Sequence, residues 1–130
     1  MWVPKTLMFA GTCSARSVLT LVSQRITRRY RTRQITCRFP VGTLNLLTLT
    51  PYLSGDDEAP AAGAPAGIKL LQDYGQVASI RADGEQIVLD HMVSPDTAGS
   101  YLKIYAVNTD FYAHAVDVDI TIEVEMEGGE

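Results

Sequence analysis

Histidine, cysteine and tryptophan are scarce in this chain of 130 residues, which holds two, two and one of them. Two cysteines cannot build a disulfide scaffold, and Cys13 and Cys37 stand far apart with no C-x-x-C context. None is needed: a chain of about this length buries roughly two thirds of its unfolded surface, so one core folds without disulfides or metal. No serine sits in a G-x-S-x-G elbow, no glycine-rich loop is shaped for phosphate, and no H-E-x-x-H occurs. The chain is therefore expected not to be an enzyme and to carry no cofactor, with a hydrolase or metalloenzyme last among the readings. No N-x-S/T sequon exists, since Leu47 and Asp110 follow Asn45 and Asn108. Apolar runs are too short to span a bilayer as a helix. A composition that is 46% hydrophobic and 20% charged also excludes a wholly disordered chain.

A second absence is more informative. Residues 1–55 contain no aspartate or glutamate but eight basic groups: Lys5, Arg16, Arg25, Arg28, Arg29, Arg31, Arg33 and Arg38. From Asp56 onward there are fifteen carboxylates against Lys69, Arg81 and Lys103, so the net charge of -4 is +8 followed by -12. Such a division points to nucleic-acid contact by the basic part, attraction between halves of one fold, or attraction between neighbouring copies.

Residues 1–24 read as a leader or arm, poorly ordered and outside the domain proper. Lys5 followed by Leu7, Met8, Phe9 and Ala10 hints at a signal peptide, but Arg16 interrupts the short apolar run and no A-x-A site follows. Ala10-Gly11-Thr12-Cys13 does not fit a lipoprotein acylation box, because a threonine precedes the cysteine.

Residues 25–127 read as a single β-sandwich domain. RITRRYRTRQITCRF, residues 25–39, alternates and is rich in Thr, Ile, Tyr and Arg, as a long strand would be. Arg25, Arg29, Arg31 and Arg33 share parity with Ile35, Cys37 and Phe39, so one face is expected to turn from basic to apolar along its length. After a turn at Val41-Gly42, TLNLLTLTPYL supplies a buried strand, and residues 54–67 form a long Pro/Ala/Gly loop with an acidic start. IKLLQDYG is undecided between helix and strand. QVASIRADGEQIVLDHMV reads as a hairpin around Asp83-Gly84. A strand SYLKIYAV and a last strand FYAHAVDVDITIEVEM complete the pattern. In the last, Tyr112, His114, Val116, Val118, Ile120, Ile122, Val124 and Met126 form one row, and Asp117, Asp119, Thr121, Glu123 and Glu125 the other. Six to eight strands with little helix predict an all-β antiparallel sandwich, jelly-roll or Ig-like.

Asp96-Thr97-Ala98-Gly99-Ser100-Tyr101 resembles the turn and tyrosine corner before the penultimate strand of immunoglobulin-like domains. The resemblance covers about a tenth of the chain and implies a sandwich at fold level. The inter-sheet cysteine expected two residues after the tyrosine is Lys103 here, and no tryptophan lies mid-domain.

Candidates for chemistry are few. His91 and His114 share parity with apolar neighbours and are expected to be inward-facing with hydrogen-bond partners. The sharper alternative is that they meet across the sheets and hold Zn²⁺ with a carboxylate. Cys37 reads as a small buried hydrophobe. Asp56-Asp57-Glu58 is a solvated loop or, less plainly, part of a Ca²⁺ site. Tyr30 among arginines fits a nucleic-acid arm, against which stands the acidity of the rest of the chain. The preferred partner is another copy. Arg25, Arg29, Arg31 and Arg33 would face Asp117, Asp119, Glu123 and Glu125 across paired strands, within one molecule or, as favoured by their length, between two.

The resulting expectation is a structural, self-associating sandwich of a virion-like particle, tail or other surface array. The alternative is an extracellular carbohydrate- or receptor-binding module using Tyr52, Tyr74, Tyr101, Tyr105 and Tyr112 as stacking surfaces.

Overall fold

The computed structural model describes residues 2–44, 46–59, 63–65, 67–69, 79–90 and 101–125. Eight strands are found among them: β1 (Trp2–Cys13), β2 (Ser17–Val22), β3 (Tyr30–Arg38), β4 (Leu47–Ser54), β5 (Ile68–Lys69), β6 (Gln86–Asp90), β7 (Tyr101–Asn108) and β8 (His114–Glu125). They form two four-stranded antiparallel sheets, in the orders β1-β8-β3-β6 and β2-β7-β4-β5. Chain neighbours mostly change sheet, and the first strand pairs with the last. That connectivity is a jelly roll, and it decides between the two architectures the alternation left open.

The core is built from one face of each sheet. Val116, Val118, Ile120 and Ile122 of β8 are at most 1% exposed, while Asp117, Asp119 and Glu123 turn outward, as their period of two requires. Facing this row are Leu47 and Leu49 of β4 and Leu102, Ile104 and Ala106 of β7, with Ile35 and Cys37 of β3 and Phe9 of β1 beside it. Each such isoleucine or leucine contributes about 1.5–3 kcal/mol by leaving water.

In β3 the pairing with β8 shifts register between Thr32 and Gln34. Arg33 is the extra residue of this bulge, so inward parity passes from Tyr30 and Thr32 to Ile35 and Cys37. The single face expected to change from basic to apolar is thus two faces. Arg31 points to solvent and Ile35 to the core because a bulge lies between them.

The segment expected as a leader or arm is structured otherwise. Trp2–Cys13 pairs along its whole length with β8, from Trp2 opposite Glu125 to Cys13 opposite His114, and Ser17–Val22 pairs with β7. Only Phe9 and Cys13 of β1 are fully buried, so its alternation was masked by small and polar residues. The hairpin expected at Asp83-Gly84 is also different. Ile80 bridges Leu49 in one sheet, whereas Gln86–Asp90 pairs with β3 in the other, so this turn crosses between sheets. Gly84 adopts φ +62°, and a Cβ there would lie 3.0 Å from Val41.

The described connections are divided between the two ends of the sandwich. Residues 14–16, 39–44, 46, 79–85 and 109–113 gather at one end, the loop end. Residues 23–29 and 55–59 lie at the other, together with Trp2 and Glu125. His91, Tyr74 and the turn at 95–99 fall outside the described residues.

Candidate functional site

The charged rows meet within one chain. On the outer face of the first sheet, Arg31 Nε donates to Glu123 Oε1 at 2.6 Å, and Arg33 lies 3.4 Å from the same carboxylate. Arg38 reaches Asp117 at 3.1 Å and Asp119 at 2.9 Å, and Arg29 lies 3.2 Å from Glu125. The antiparallel register puts Arg31 opposite Glu123 and Arg38 opposite Asp117, so the sequence complementarity is spent inside the fold. Hydrogen bonding from Arg31, reinforced by its charge, holds the Glu123 carboxyl below its usual range. The Arg31 guanidinium also stacks 4.2 Å from the Trp2 ring centroid, tying β1 to the same face. Of the arginines singled out in the sequence, Arg25 lies elsewhere, on the β2–β3 connection.

Lys103, which stands at the position of the immunoglobulin-like cysteine, points to the outer side of the second sheet yet has no exposed surface. The start of the long loop folds over it. Lys103 Nζ donates to Asp56 Oδ1 at 2.5 Å and to the Glu58 carbonyl at 2.8 Å. Asp56 also accepts from Glu58 N at 3.1 Å, and its carboxyl is held below the usual range chiefly by the lysine. Of the acidic triplet, Asp56 and the Glu58 backbone clamp a buried ammonium, while Asp57 and Glu58 are exposed. Gly67 closes the far side of the loop at φ +137°, where a Cβ would meet the Leu53 carbonyl oxygen.

At the loop end, Asn108 acts as a clasp. Its side-chain amide donates to Tyr112 O at 2.8 Å and to Cys13 O and Ser14 O at 3.2 Å, and its oxygen accepts from Asp110 N at 3.0 Å. His114 Nε2 lies 2.7 Å from Asp110 Oδ2, so this histidine is a partnered, nearly buried strand-end residue as its parity predicted. The bond from His114 is the main reason the Asp110 carboxyl sits below its usual range.

These fixed loops hold apolar side chains out to solvent. Val41 is 88% exposed, Leu44 65%, Phe111 73% and Tyr112 74%. Thr109 N donates to Leu46 O at 3.1 Å, which joins the loop carrying Leu44 to the one carrying Phe111. Arg16 lies 5.0 Å from the Phe111 ring centroid. Sequence reasoning missed this cluster because its members come from separate loops with no shared period. The signal available was an apolar residue in each turn, at Val41, Leu44 and Phe111.

Cys13 and Cys37 are buried free thiols, and burial pushes Cys37 up to about 12. No group of three or more metal-binding side chains occurs among the described residues. Of the tyrosines offered as stacking surfaces, Tyr52 packs edge-on to Tyr105 at 6.3 Å on the outer side of the second sheet, Tyr101 opposite Ser54 shares the parity of Tyr105, and Tyr112 stands at the loop end.

No family model and no curated protein matches the chain. Among solved structures, it is similar to a subunit from "Bacillus endospore appendages form a novel family of disulfide-linked pili", at TM-score 0.55 and 13% identity, over 97% of this chain and 89% of that one. It is also similar to the Yersinia pseudotuberculosis-derived mitogen, at TM-score 0.47 and 10% identity, over 98% of this chain and 93% of that one. The cyanophage Pam1 capsid follows at TM-score 0.48 and 11% identity, over 95% and 86%. The first likeness shows a shared fold with an appendage subunit.

Proposed function

We propose that this chain is a non-enzymatic structural subunit that associates with copies of itself in an ordered array such as a capsid, tail or surface appendage. The observation that carries this reading is the loop-end cluster of Val41, Leu44, Phe111 and Tyr112. Large apolar and aromatic side chains held out by a hydrogen-bonded clasp are the composition of an interface centre, and Arg16 beside Phe111 adds the residue type that often joins them. A domain with its charged rows already paired has less use for them in assembly, so the contact is placed at the loops. The fold shared with the Bacillus appendage subunit is compatible with this role. Because both cysteines here are buried, contacts between copies through the described residues are non-covalent, unlike the disulfide linkage named for that protein.

Light scattering coupled to size exclusion, at low and high salt, tests the proposal. The expected result is a mass above that of one chain, reduced to one chain by the double substitution Phe111→Ser and Tyr112→Ser and unchanged by Arg29→Glu. A single-chain mass at every concentration and salt would refute it.

A further inference from the structure

We infer that the seam between β1 and the β2–β3 connection is a docking groove for an extended, acidic peptide segment of a partner protein. β1 is twelve residues long, but β2, which packs across from its inner face, has only six. Val3, Lys5 and Leu7 share parity with buried Phe9 and stand opposite Val124, Ile122 and Ile120 in the register. They belong to the core-facing side of the sheet, yet Val3 is 39% exposed and Lys5 is exposed, because among the described residues no strand lies across from them.

The space left is a groove of about 620 Å³. Its floor is apolar, from Val3, Leu7, Ile122 and Val124, and its rim carries Lys5, Arg25 and Arg28. Among the described residues no carboxylate lines it. Among the described residues no acidic group pairs with these three cations, whereas every arginine of β3 reaches a carboxylate of β8. The far wall is fixed, since Ser23 N donates to Leu102 O at 2.9 Å and Ser23 Oγ accepts from Leu102 N at 3.0 Å.

Two features select an extended peptide over a small anionic amphiphile. The lining follows β1 from Val3 to Phe9, roughly 20 Å of strand, which suits about six extended residues. Among the described strands β1 is also the edge of its sheet, which leaves the backbone groups on the side away from β8 for a further strand. Pro4 and Lys5 on that edge discourage indiscriminate pairing. A segment alternating apolar and acidic residues would fill the floor with one row and meet the cationic rim with the other. The groove belongs to a single copy, so this inference does not rest on self-association.

A fluorescently labelled short peptide alternating valine and glutamate is the probe, titrated against the full chain and followed by anisotropy and by hydrogen exchange at β1. Saturable binding is expected, weakened by salt, reduced about tenfold or more by Arg25→Glu with Arg28→Glu, and unmoved by Arg81→Glu at the opposite end. Exchange at the β1 amides should slow on binding. If the double variant fails to fold by circular dichroism, Lys5→Glu carries the same comparison. Absence of saturable binding, equal binding of a valine–lysine peptide, or unchanged β1 exchange would overturn the inference. So would displacement of the peptide by decanoate at equal concentration, which would identify the groove as a site for anionic amphiphiles.

Discussion

A cysteine on an alternating strand can be a reactive thiol or a space-filling one, and position along the strand decides which. Cys37 follows Ile35 on the inward face after the bulge and is 1% exposed, and burial pushes its thiol to about 12. Cys13 is also buried, with Sγ 3.5 Å from Ser17 O, and its thiol is likewise raised by burial. Thiolate is the reactive form, so neither residue should react in the native state. Titration with a thiol reagent is expected to find no accessible thiol in buffer and two in denaturant; prompt native reaction would contradict the placement of both. Parity alone identified Cys37 as core. It could not place Cys13, because the mostly exposed side chains of β1 give little alternation around it.

At the scale of elements, the loop after β4 and strand β7 depend on each other. Lys103 has water on no side, and its counter-ion comes from the long Pro/Ala/Gly loop. Removing one partner of such a pair strands the other charge, whereas replacing the buried ion by an apolar chain removes the cost. Asp56→Ala is therefore expected to lower the urea midpoint clearly more than Asp57→Ala, and Lys103→Met added to Asp56→Ala should recover much of the loss. An equal effect of the two aspartate variants would show that the clamp does not hold the loop. β3 shows a related limit of one-dimensional reading. A uniform period of two joins Arg31 to Ile35, but the bulge at Arg33 separates them, and a bulge is set by the partner strand rather than by the strand's own sequence.

For the whole molecule, the division into +8 and -12 becomes a pattern of acid sensitivity. Asp56, Asp110 and Glu123 each have a carboxyl held below its ordinary value of 3.8, 3.8 and 4.5 by a lysine, a histidine and an arginine respectively. A depressed carboxyl favours the fold above its ordinary value, and that contribution is lost as pH falls through its folded value. Urea denaturation should thus give a steep loss of stability below about pH 4, set by those three groups. Glu123→Gln should be less stable than the parent at neutral pH and should converge with it in acid; a constant difference across pH would exclude this origin. The sequence by itself determined the all-β class, the strand β8 with its two faces, the inward placement of His114 and Cys37, and the existence of complementary charge rows, because a period of two needs only local parity. Tertiary structure alone decided that those rows close on one another within the chain, that residues 2–22 supply two strands, and that Lys103 is buried under an acidic loop. It also decided that apolar loop tips collect at one end and a groove lined by Lys5, Arg25 and Arg28 at the other. Each of these follows from which strands are neighbours, and strand order in a jelly roll is fixed by long-range pairing between segments such as β1 and β8 that lie far apart along the chain.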